Sequence, residues 1–276
     1  MSMKNSLKTK EIILNIITII IVIACLFPLI WLLQTSTKNP VDAFAMPPKF
    51  IFFPTLENFK AIIFSGVFIK SYGNSLVISS LSTIISILLG LTSGYALARA
   101  KFKASKFMGL WIILTRMAPP IIFILPLFLI FQRLHLLDTY FALILTYQTI
   151  TLPFATWMLT SFFRGVPEEL EEAAMIDGCT RIKTIFLIDV PIIMPGIVTC
   201  AIFSFIMSWN EFFYALILSG IHTKPISVLV QGFVSFQGIN WGQLTAAGVL
   251  VTFPVLIISF VFQRGLVKGL VGGAIK

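Results

Sequence analysis

Long stretches almost free of charged residues restrict the fold of this chain more than any other feature. A helix needs roughly 20 apolar residues, at 1.5 Å rise per residue, to cross about 30 Å of hydrocarbon. Six segments reach that length, and they cover residues 12–33, 74–98, 107–132, 139–163, 192–218 and 244–263. Only 11% of the residues are charged, against about a quarter in soluble domains. We therefore predict an all-α integral membrane protein with six transmembrane helices.

The positions of lysine and arginine predict how these helices are oriented, because cytoplasmic loops carry an excess of both. With a cytoplasmic N-terminus at residues 1–11, the inner side holds thirteen of them: Lys4, Lys8, Lys10, Arg99, Lys101, Lys103, Lys106, Arg164, Arg181, Lys183, Arg264, Lys268 and Lys276. The outer side holds Lys38, Lys49, Lys60, Lys70, Arg133 and Lys224. We therefore expect both termini in the cytoplasm, an outer loop at 34–73, a core at 74–264 and a tail at 265–276.

The net charge of +9 is explained by this inner excess of basic residues and by their attraction to anionic lipid. No nucleic-acid partner is implied. The three cysteines have neither the placement for a disulfide nor the spacing of a metal site, so we expect no metal in this chain.

The inner connection at 164–191 holds an unusual acidic patch. Five of the eleven acidic residues of the chain fall within EELEEAAMIDG, residues 168–178. Pro167 suits the first position of a helix, and carboxylates in the first turn favour the positive end of the helix dipole. Gly178 supplies a left-handed stop. The sequence therefore predicts a helix of about three turns.

The apolar residues of this short helix share one face. Val166, Leu170, Ala173 and Ala174 are separated by offsets of four, seven and eight, and the glutamates occupy the other faces. A solvated cytoplasmic helix is one interpretation. A helix this short is marginal by itself, however, and its small alanine face suits close approach, which favours a docking helix. A second short helix is predicted at 180–189, with Pro191 and Pro195 marking the start of the fifth span.

Two further patterns concern helix packing. Gly90 and Gly94 form a GxxxG pair inside the second span, where small residues let helices approach closely in lipid. In the third span, Pro119, Pro120 and Pro126 remove backbone donors and predict a kink or break. Because freed backbone groups must be covered by protein or water, we expect the third span to be buried rather than lipid-facing.

The stretch EEAAMIDGCTRIKTIFLIDVPIIMPG resembles the EAA loop of bacterial ABC importer permeases. Glu172, Ala173, Ala174 and Gly178 match its pattern, and Val190-Pro191 stands where the loop usually has Leu-Pro. The segments PPKFIFFPTLENF, TRMAPP, FSFIMSWNEF and FQRGLVKGLVGGAIK are similar to permeases of the carbohydrate-uptake group, of the maltose-transporter type. The resemblance covers nearly the whole chain.

This resemblance implies a type I ABC importer permease core in a bacterial cytoplasmic membrane. The acidic helix is then a cytoplasmic coupling helix that docks into an ATPase subunit through Glu172, Ala173, Ala174, Asp177 and Gly178. ATP and Mg²⁺ belong to that ATPase, present as a dimer, and no cofactor is expected in this chain. The implied partners are a second homologous permease and an extracytoplasmic solute-binding protein, and the implied cargo is an oligosaccharide, monosaccharide or polyol.

Charged and aromatic residues inside the spans are candidates for the substrate path. Arg116 precedes the Pro119 break, and Trp209, Asn210 and Glu211 fall late in the fifth span. Indole faces stack on sugar rings, and Asn and Glu hydrogen-bond to hydroxyls. The simpler interpretation is that Arg116 and Glu211 satisfy contacts between helices and that Trp209 marks the membrane interface.

Other functional classes are less compatible with the sequence. No HExxH or G-x-S-x-G motif is present, which argues against an intramembrane enzyme. No G-x-x-x-x-G-K-[ST] loop is present, so any ATP is bound by another chain. An ion-coupled carrier or channel is the strongest alternative, because intramembrane charges such as Arg116 and Glu211 are usually functional.

Overall fold

A computed structural model describes residues 2–99, 104–235 and 238–263. The tail at 265–276 and several of the basic residues counted above lie outside these described residues. Within them the chain is helical except for connecting loops and one antiparallel pair of strands of two residues each. The elements are α1 (Ser2–Ser36), α2 (Pro40–Ala43), α3 (Glu57–Phe64), α4 (Val67–Arg99), α5 (Ala104–Met117), α6 (Pro120–Arg133), α7 (Tyr140–Arg164), α8 (Glu168–Ile176), α9 (Arg181–Thr184), a π-helical turn (Ile185–Asp189), α10 (Val190–Trp209), α11 (Phe213–Leu218), α12 (Ile226–Gln231), β1 (Val234–Ser235), β2 (Gly238–Ile239) and α13 (Trp241–Val261).

The predicted membrane spans are present as helices. In the described part of the chain, five segments are long and apolar enough to cross a membrane: Glu11–Ser36, Val67–Arg99, Tyr140–Arg164, Arg181–Trp209 and Trp241–Val261. A sixth span is divided into Phe107–Met117 and Pro120–Arg133, which meet at 90°. The prediction of an all-α protein with several spans is confirmed, and the count is six, with a break in the third, when this bent pair is taken as one span.

The break in the third span lies at the proline pair. Pro119 adopts an extended conformation with ψ 137°, and Pro120 is the first residue of α6. A residue before proline is driven out of the helical region by the proline ring, which explains why α5 cannot continue here. Only Ile124 and Phe131 of α6 are buried. The expectation that this span is covered is therefore wrong within the single chain.

The fifth span differs from the prediction at both ends. Instead of a separate helix at 180–189, α9 continues through the π-helical turn into α10 without interruption. Pro191 has no N–H and its ring crowds the preceding turn, and a wider turn there accommodates both effects. At the other end the helix stops at Trp209 and α11 begins at Phe213. Glu211 therefore lies in a helix break, not inside the span.

The chain forms two compact units. One contains the residues up to Val67 together with Gly232–Thr252. In this unit Asn58 donates through Nδ2 to the carbonyls of Ser36, at 3.0 Å, and Lys38, at 2.7 Å. The Lys38 ammonium lies 5.3 Å from the ring of Trp31 and 5.1 Å from that of Phe52. These contacts fold the segment after α1 against itself.

The other unit is built on α4, α7 and α10, which pack side by side. A Cβ on Gly90 would lie 2.9 Å from Ala155 Cβ, and one on Gly94 would lie 3.1 Å from Leu159 Cβ. The GxxxG pair is therefore a helix contact, as predicted. Polar side chains continue the α4–α7 contact, with Ser86 Oγ 2.6 Å from Gln148 Oε1. Such bonds contribute about 0.6 kcal/mol on average in membranes.

A hydrogen-bonded clasp joins the loop before α7 to the loop after α11. Asp138 has a left-handed backbone, with φ 57°. Its Oδ1 accepts from the backbone N–H of Gly220 at 2.8 Å and of Thr223 at 2.9 Å, and its Oδ2 accepts from His222 N–H at 3.0 Å. Although burial opposes ionisation, these bonds lower the pKa of Asp138 to about 2. We call this group the Asp138 clasp.

Candidate functional site

The acidic patch folds as the short helix that its sequence predicts. The helix α8 spans Glu168–Ile176 and carries Glu168, Glu169 and Glu171 in its first turn. Pro167 precedes it as the N-cap residue. At the other end Gly178 has φ +89°, and Cys179 N–H donates to Ala174 O at 3.0 Å. A left-handed glycine closing the helix in this way leaves α8 with a sharp end.

The faces of α8 are not divided as predicted. Val166 and Ala174 are buried against their own chain, whereas Leu170 and Ala173 are exposed. Ile176, which is 86% exposed, lies on the same outward surface. Three further predicted docking residues are exposed there: Glu172, Asp177 and Gly178. The single apolar face is therefore split, because one half of it anchors the helix and the other half faces outward.

Glu171 is a buried residue of the site that the sequence reasoning missed. Its side chain is only 6% exposed, although it belongs to a helix with charged neighbours on both sides. Glu171 Oε1 accepts from Arg99 Nε at 2.6 Å, and Oε2 accepts from Tyr95 OH at 2.9 Å. The spacing held a signal, since Glu171 lies three residues before Ala174 and so shares its inward face.

Arg99 is the partner that α4 supplies to this site. It is the last residue of that helix, and its guanidinium side chain is 10% exposed in the pair with Glu171. Arg99 Nη2 also donates to the carbonyl of Val166 at 2.9 Å, at the corner between α7 and α8. The Arg99 side chain thus binds both the backbone just before α8 and the Glu171 carboxylate on α8.

A second buried carboxylate lies beside this pair. Asp189, the last residue of the π-helical turn, is 0% exposed, and within the described residues no ionised or neutral donor reaches its oxygens, the carboxylate of Glu171 being its close polar neighbour. It lies within electrostatic range of both Glu171 and Arg99. Arg99 is consequently the cation that faces two buried carboxylates from different elements.

An open cavity of about 330 Å³ lies beside α8, next to the Arg99–Glu171 pair. Three glutamates of that helix line it, Glu168, Glu171 and Glu172, together with Arg99 and Arg181. Opposite charges thus face the same space. Such a surface suits a polar partner rather than lipid.

The predicted path residues form two separate groups. The Arg116 guanidinium lies 5.2 Å from the ring of Phe154 and 5.7 Å from that of Trp157, both on α7. Trp209 is only 1% exposed; it stacks on Phe205 at 5.7 Å and meets Tyr72 edge-on at 5.4 Å. In this conformation the Trp209 indole is therefore covered by its own chain.

Asn210 and Glu211 occupy the break between α10 and α11. Asn210 is exposed and ends α10. Glu211 Oε1 accepts from Tyr214 N–H at 2.9 Å, so this carboxylate satisfies a free backbone donor at the start of α11. The Glu211 carbonyl accepts from Ser227 Oγ at 2.8 Å. The break is thus held by hydrogen bonds from two later segments.

The chain is similar to known membrane transport proteins along most of its length. The model of the family described as "Binding-protein-dependent transport system inner membrane component" matches residues 86–272. A trehalose/maltose transport system permease protein of Thermococcus litoralis is 35% identical, covering 97% of each chain. A sulfoquinovosyl glycerol transport system permease protein of Agrobacterium fabrum is 37% identical, covering 93% of this chain and 91% of that one.

Solved structures with the same fold include a chain of a bacterial ABC transporter involved in import of the acidic polysaccharide alginate. The TM-score is 0.76 at 19% identity, covering 93% of this chain and 96% of that chain. A chain of the MetNI methionine ABC transporter aligns with a TM-score of 0.60 at 18% identity over 75% of this chain and 97% of that chain. At these identities the likeness establishes the fold.

Proposed function

This chain belongs to the family of binding-protein-dependent transport system inner membrane components, and from that membership we propose that it moves a sugar inward by alternating access. It is a permease subunit of an ABC importer and a multi-pass membrane protein, not an enzyme. The observation that carries the sugar assignment is the set of nearly full-length relatives at 35–37% identity that are named for sugar or sugar-glycoside transport. The ion-coupled carrier or channel is not favoured.

Uptake assays test the sugar assignment. Cells with and without the gene are given labelled oligosaccharides, monosaccharides and polyols, with labelled methionine as the contrast because a methionine importer shares the fold. We expect loss of uptake for one or more of the carbohydrates and unchanged uptake of methionine. Loss of methionine uptake alone would reject a carbohydrate cargo.

The partners follow from the importer class. An ABC importer permease works with an ATPase subunit and an extracytoplasmic solute-binding protein. We propose in addition that the ATPase is a dimer that binds ATP and Mg²⁺, and that a second homologous permease completes the membrane part. We further propose a location in the bacterial cytoplasmic membrane with both termini inside.

We propose that α8 is the coupling helix that docks on the ATPase. The docking residues are Glu172, Ala173, Asp177 and Gly178, whereas Ala174, also predicted to dock, is buried against its own chain and anchors the helix instead. Supporting this role, Glu172, Ala173 and Asp177 are exposed at the surface of a helix whose opposite face is anchored by Ala174 and Glu171. The left-handed Gly178 ends the helix sharply, which lets α8 project as a short rigid element.

Co-purification tests the docking assignment. The tagged chain is purified gently from native membranes, in parallel with a double variant carrying Glu172→Lys and Gly178→Val. We expect the ATPase to accompany the wild type and to be lost from the variant. Glu57→Lys, an exposed charge reversal on α3, is the matched control and should retain the ATPase. A chain that purifies alone, or a variant that retains the ATPase, contradicts the proposal.

We propose that Arg116, Trp209, Asn210 and Glu211 contribute to the substrate path. Discontinuous helices line the binding sites of many transporters, and both groups lie next to a helix break. Because Trp209 is buried, we assign it the role of a rigid wall behind the exposed Asn210. Uptake by Glu211→Gln and Trp209→Ala, with assembly measured separately, tests this. Normal uptake in both variants would remove these residues from the path.

A further inference from the structure

The coupling helix is attached to the rest of its chain by more than its two covalent connections. It follows α7 through Gly165–Pro167 and leads into α9 through Gly178, so sequence neighbours alone would link it to the fourth and fifth spans. Arg99 and Tyr95 belong to α4, a helix that lies 72 and 76 residues earlier in the chain than Glu171. The contacts of Glu171 therefore add a third attachment, to the second span.

This attachment is geometrically tight. Both carboxylate oxygens of Glu171 are engaged, Oε1 by the Arg99 guanidinium and Oε2 by the Tyr95 hydroxyl. The Tyr95 ring is itself fixed edge-on against Phe163 at 5.5 Å. Arg99 additionally binds the Val166 carbonyl. Charge-assisted bonds from a planar guanidinium resist bending and sliding, so α4 and α8 are constrained to move together.

We propose that the Arg99–Glu171 pair is the joint that transmits movement of the coupling helix to α4. This inference rests on the proposed docking of α8 to an ATPase. The two residues are positioning residues: they touch neither nucleotide nor cargo, and they act by keeping α8 and α4 as one rigid body. Since α4 packs along α7 through Gly90 and Gly94, movement received by α4 is passed into the centre of the second unit.

Because Asp189 lies beside the pair, loss of the Arg99 charge and loss of the Glu171 charge are expected to have unequal effects. If Glu171 loses its charge, Arg99 still faces Asp189, which lies within electrostatic range and whose oxygens no donor reaches in the described part of the chain. If Arg99 loses its charge, two buried carboxylates lose the guanidinium that hydrogen-bonds to Glu171, and Arg181, which lines the same cavity, is the nearby cation that remains. Breaking a buried pair from the cationic side is therefore expected to be more damaging.

Distance measurement between α4 and α8 in the intact complex tests the joint. Spin labels are placed on Ala96→Cys and Glu169→Cys, both exposed, after Cys25, Cys179 and Cys200 are changed to serine. The complex with its native partners is reconstituted in nanodiscs and measured without nucleotide and with ATP and vanadate. For the wild type we expect one narrow distance that is the same in both states.

In variants of the joint we expect α4 and α8 to move independently of each other. In Glu171→Gln the distance should broaden when ATP and vanadate are added, and in Arg99→Gln it should broaden further. ATP hydrolysis and co-purification of the ATPase should persist in Glu171→Gln. Arg164→Gln, which removes the exposed last residue of α7, is the matched control and should leave the distance unchanged.

The outcomes distinguish the joint from the docking on which it rests. If no ATPase accompanies the wild type, the proposed docking fails. If the ATPase is present and Arg99→Gln keeps the narrow distance, the joint is rejected. A wild-type distance that changes with nucleotide also rejects it, as does equal broadening in Arg164→Gln. Failure of both variants to assemble would assign the pair to folding and likewise overturn the inference.

Discussion

Asp138 accepts several hydrogen bonds with one carboxylate, which makes its protonation costly. Hydrogen bonds to a charged group contribute about 1.5–3 kcal/mol, and the Asp138 clasp joins two segments more than 80 residues apart. Because the pKa of Asp138 is about 2 in the folded chain and about 3.9 in an unfolded one, its contribution is fully present above the unfolded value. That contribution is lost as the pH falls from about 4 towards 2.

A thermal unfolding series in detergent at pH 6, 4 and 2.5 checks this expectation. Asp138→Asn should lower the unfolding temperature at pH 6 and reduce the drop seen between pH 4 and 2.5. Asp42→Asn is the control, since Asp42 pairs with Lys49, whose side chain is 54% exposed, and pairs that water reaches contribute little to stability. Equal effects of the two substitutions would contradict a special role for the clasp.

Arg116 carries a charge inside a span without a carboxylate partner among the described residues. The described ion pairs are Lys49–Asp42 and Arg99–Glu171. A central arginine costs about 2.5–3.5 kcal/mol on insertion scales, whereas cation–π contacts return about 0.5–2 kcal/mol. We therefore expect Arg116→Leu to stabilise the purified chain by about 0.5–3 kcal/mol, the difference between those ranges.

The same substitution is expected to lower uptake if Arg116 serves the path. Arg133→Leu, at the end of α6, is the matched control and should change neither stability nor uptake appreciably. Stability follows from denaturant unfolding and uptake from the carbohydrate panel. A less stable Arg116→Leu would show that the arginine is paired in the assembled protein and contributes to folding.

At the scale of single elements, the contact of α4 with α7 leaves no room for larger side chains. Gly90→Leu would place new atoms where Ala155 already lies 2.9 Å from the position of a Cβ. Overpacking of this kind costs about 1–3 kcal/mol. We expect reduced thermal stability for Gly90→Leu and little change for Gly109→Leu, since no atom lies within 4 Å of a Cβ at Gly109. Similar stabilities for the two variants would refute the close contact.

The sequence predicts most of the elements because their causes are local. Apolar length identifies the spans, the proline pair identifies the break at Pro119, and Gly178 identifies the end of α8. The end of α10 at Trp209 is missed because the apolar run resumes at Phe212 and hides the break that Asn210 and Glu211 occupy. The spacing from Ala174 indicates that Glu171 faces inward, but it does not indicate Arg99, the distant partner that makes burial of this carboxylate possible.

At the scale of the whole molecule, the basic residues predict which ends of the helices meet the cytoplasm. Two exposed lysines test this orientation as single cysteines, Lys49→Cys on the predicted outside and Lys183→Cys on the predicted inside, each in a chain without its three native cysteines. An impermeant maleimide applied to cells with a permeable outer envelope should label the first and not the second. Opening the membrane should then allow labelling of both. The reverse pattern would invert the predicted topology.

The polar side chains on α4 also determine when this protein can finish folding during its synthesis. Ser86 and Ser93 find their α7 partners, Gln148 and Thr156, 62 and 63 residues later in the chain. At about 5–20 residues per second, the ribosome synthesises these α7 partners roughly 3–12 seconds after the two serines. During that interval Ser86 and Ser93 of α4 are not yet covered by α7. Slowing translation between α4 and α7 therefore lengthens the interval in which these hydroxyls have only their own helix to bond, as Ser93 Oγ bonds Leu89 O at 2.7 Å.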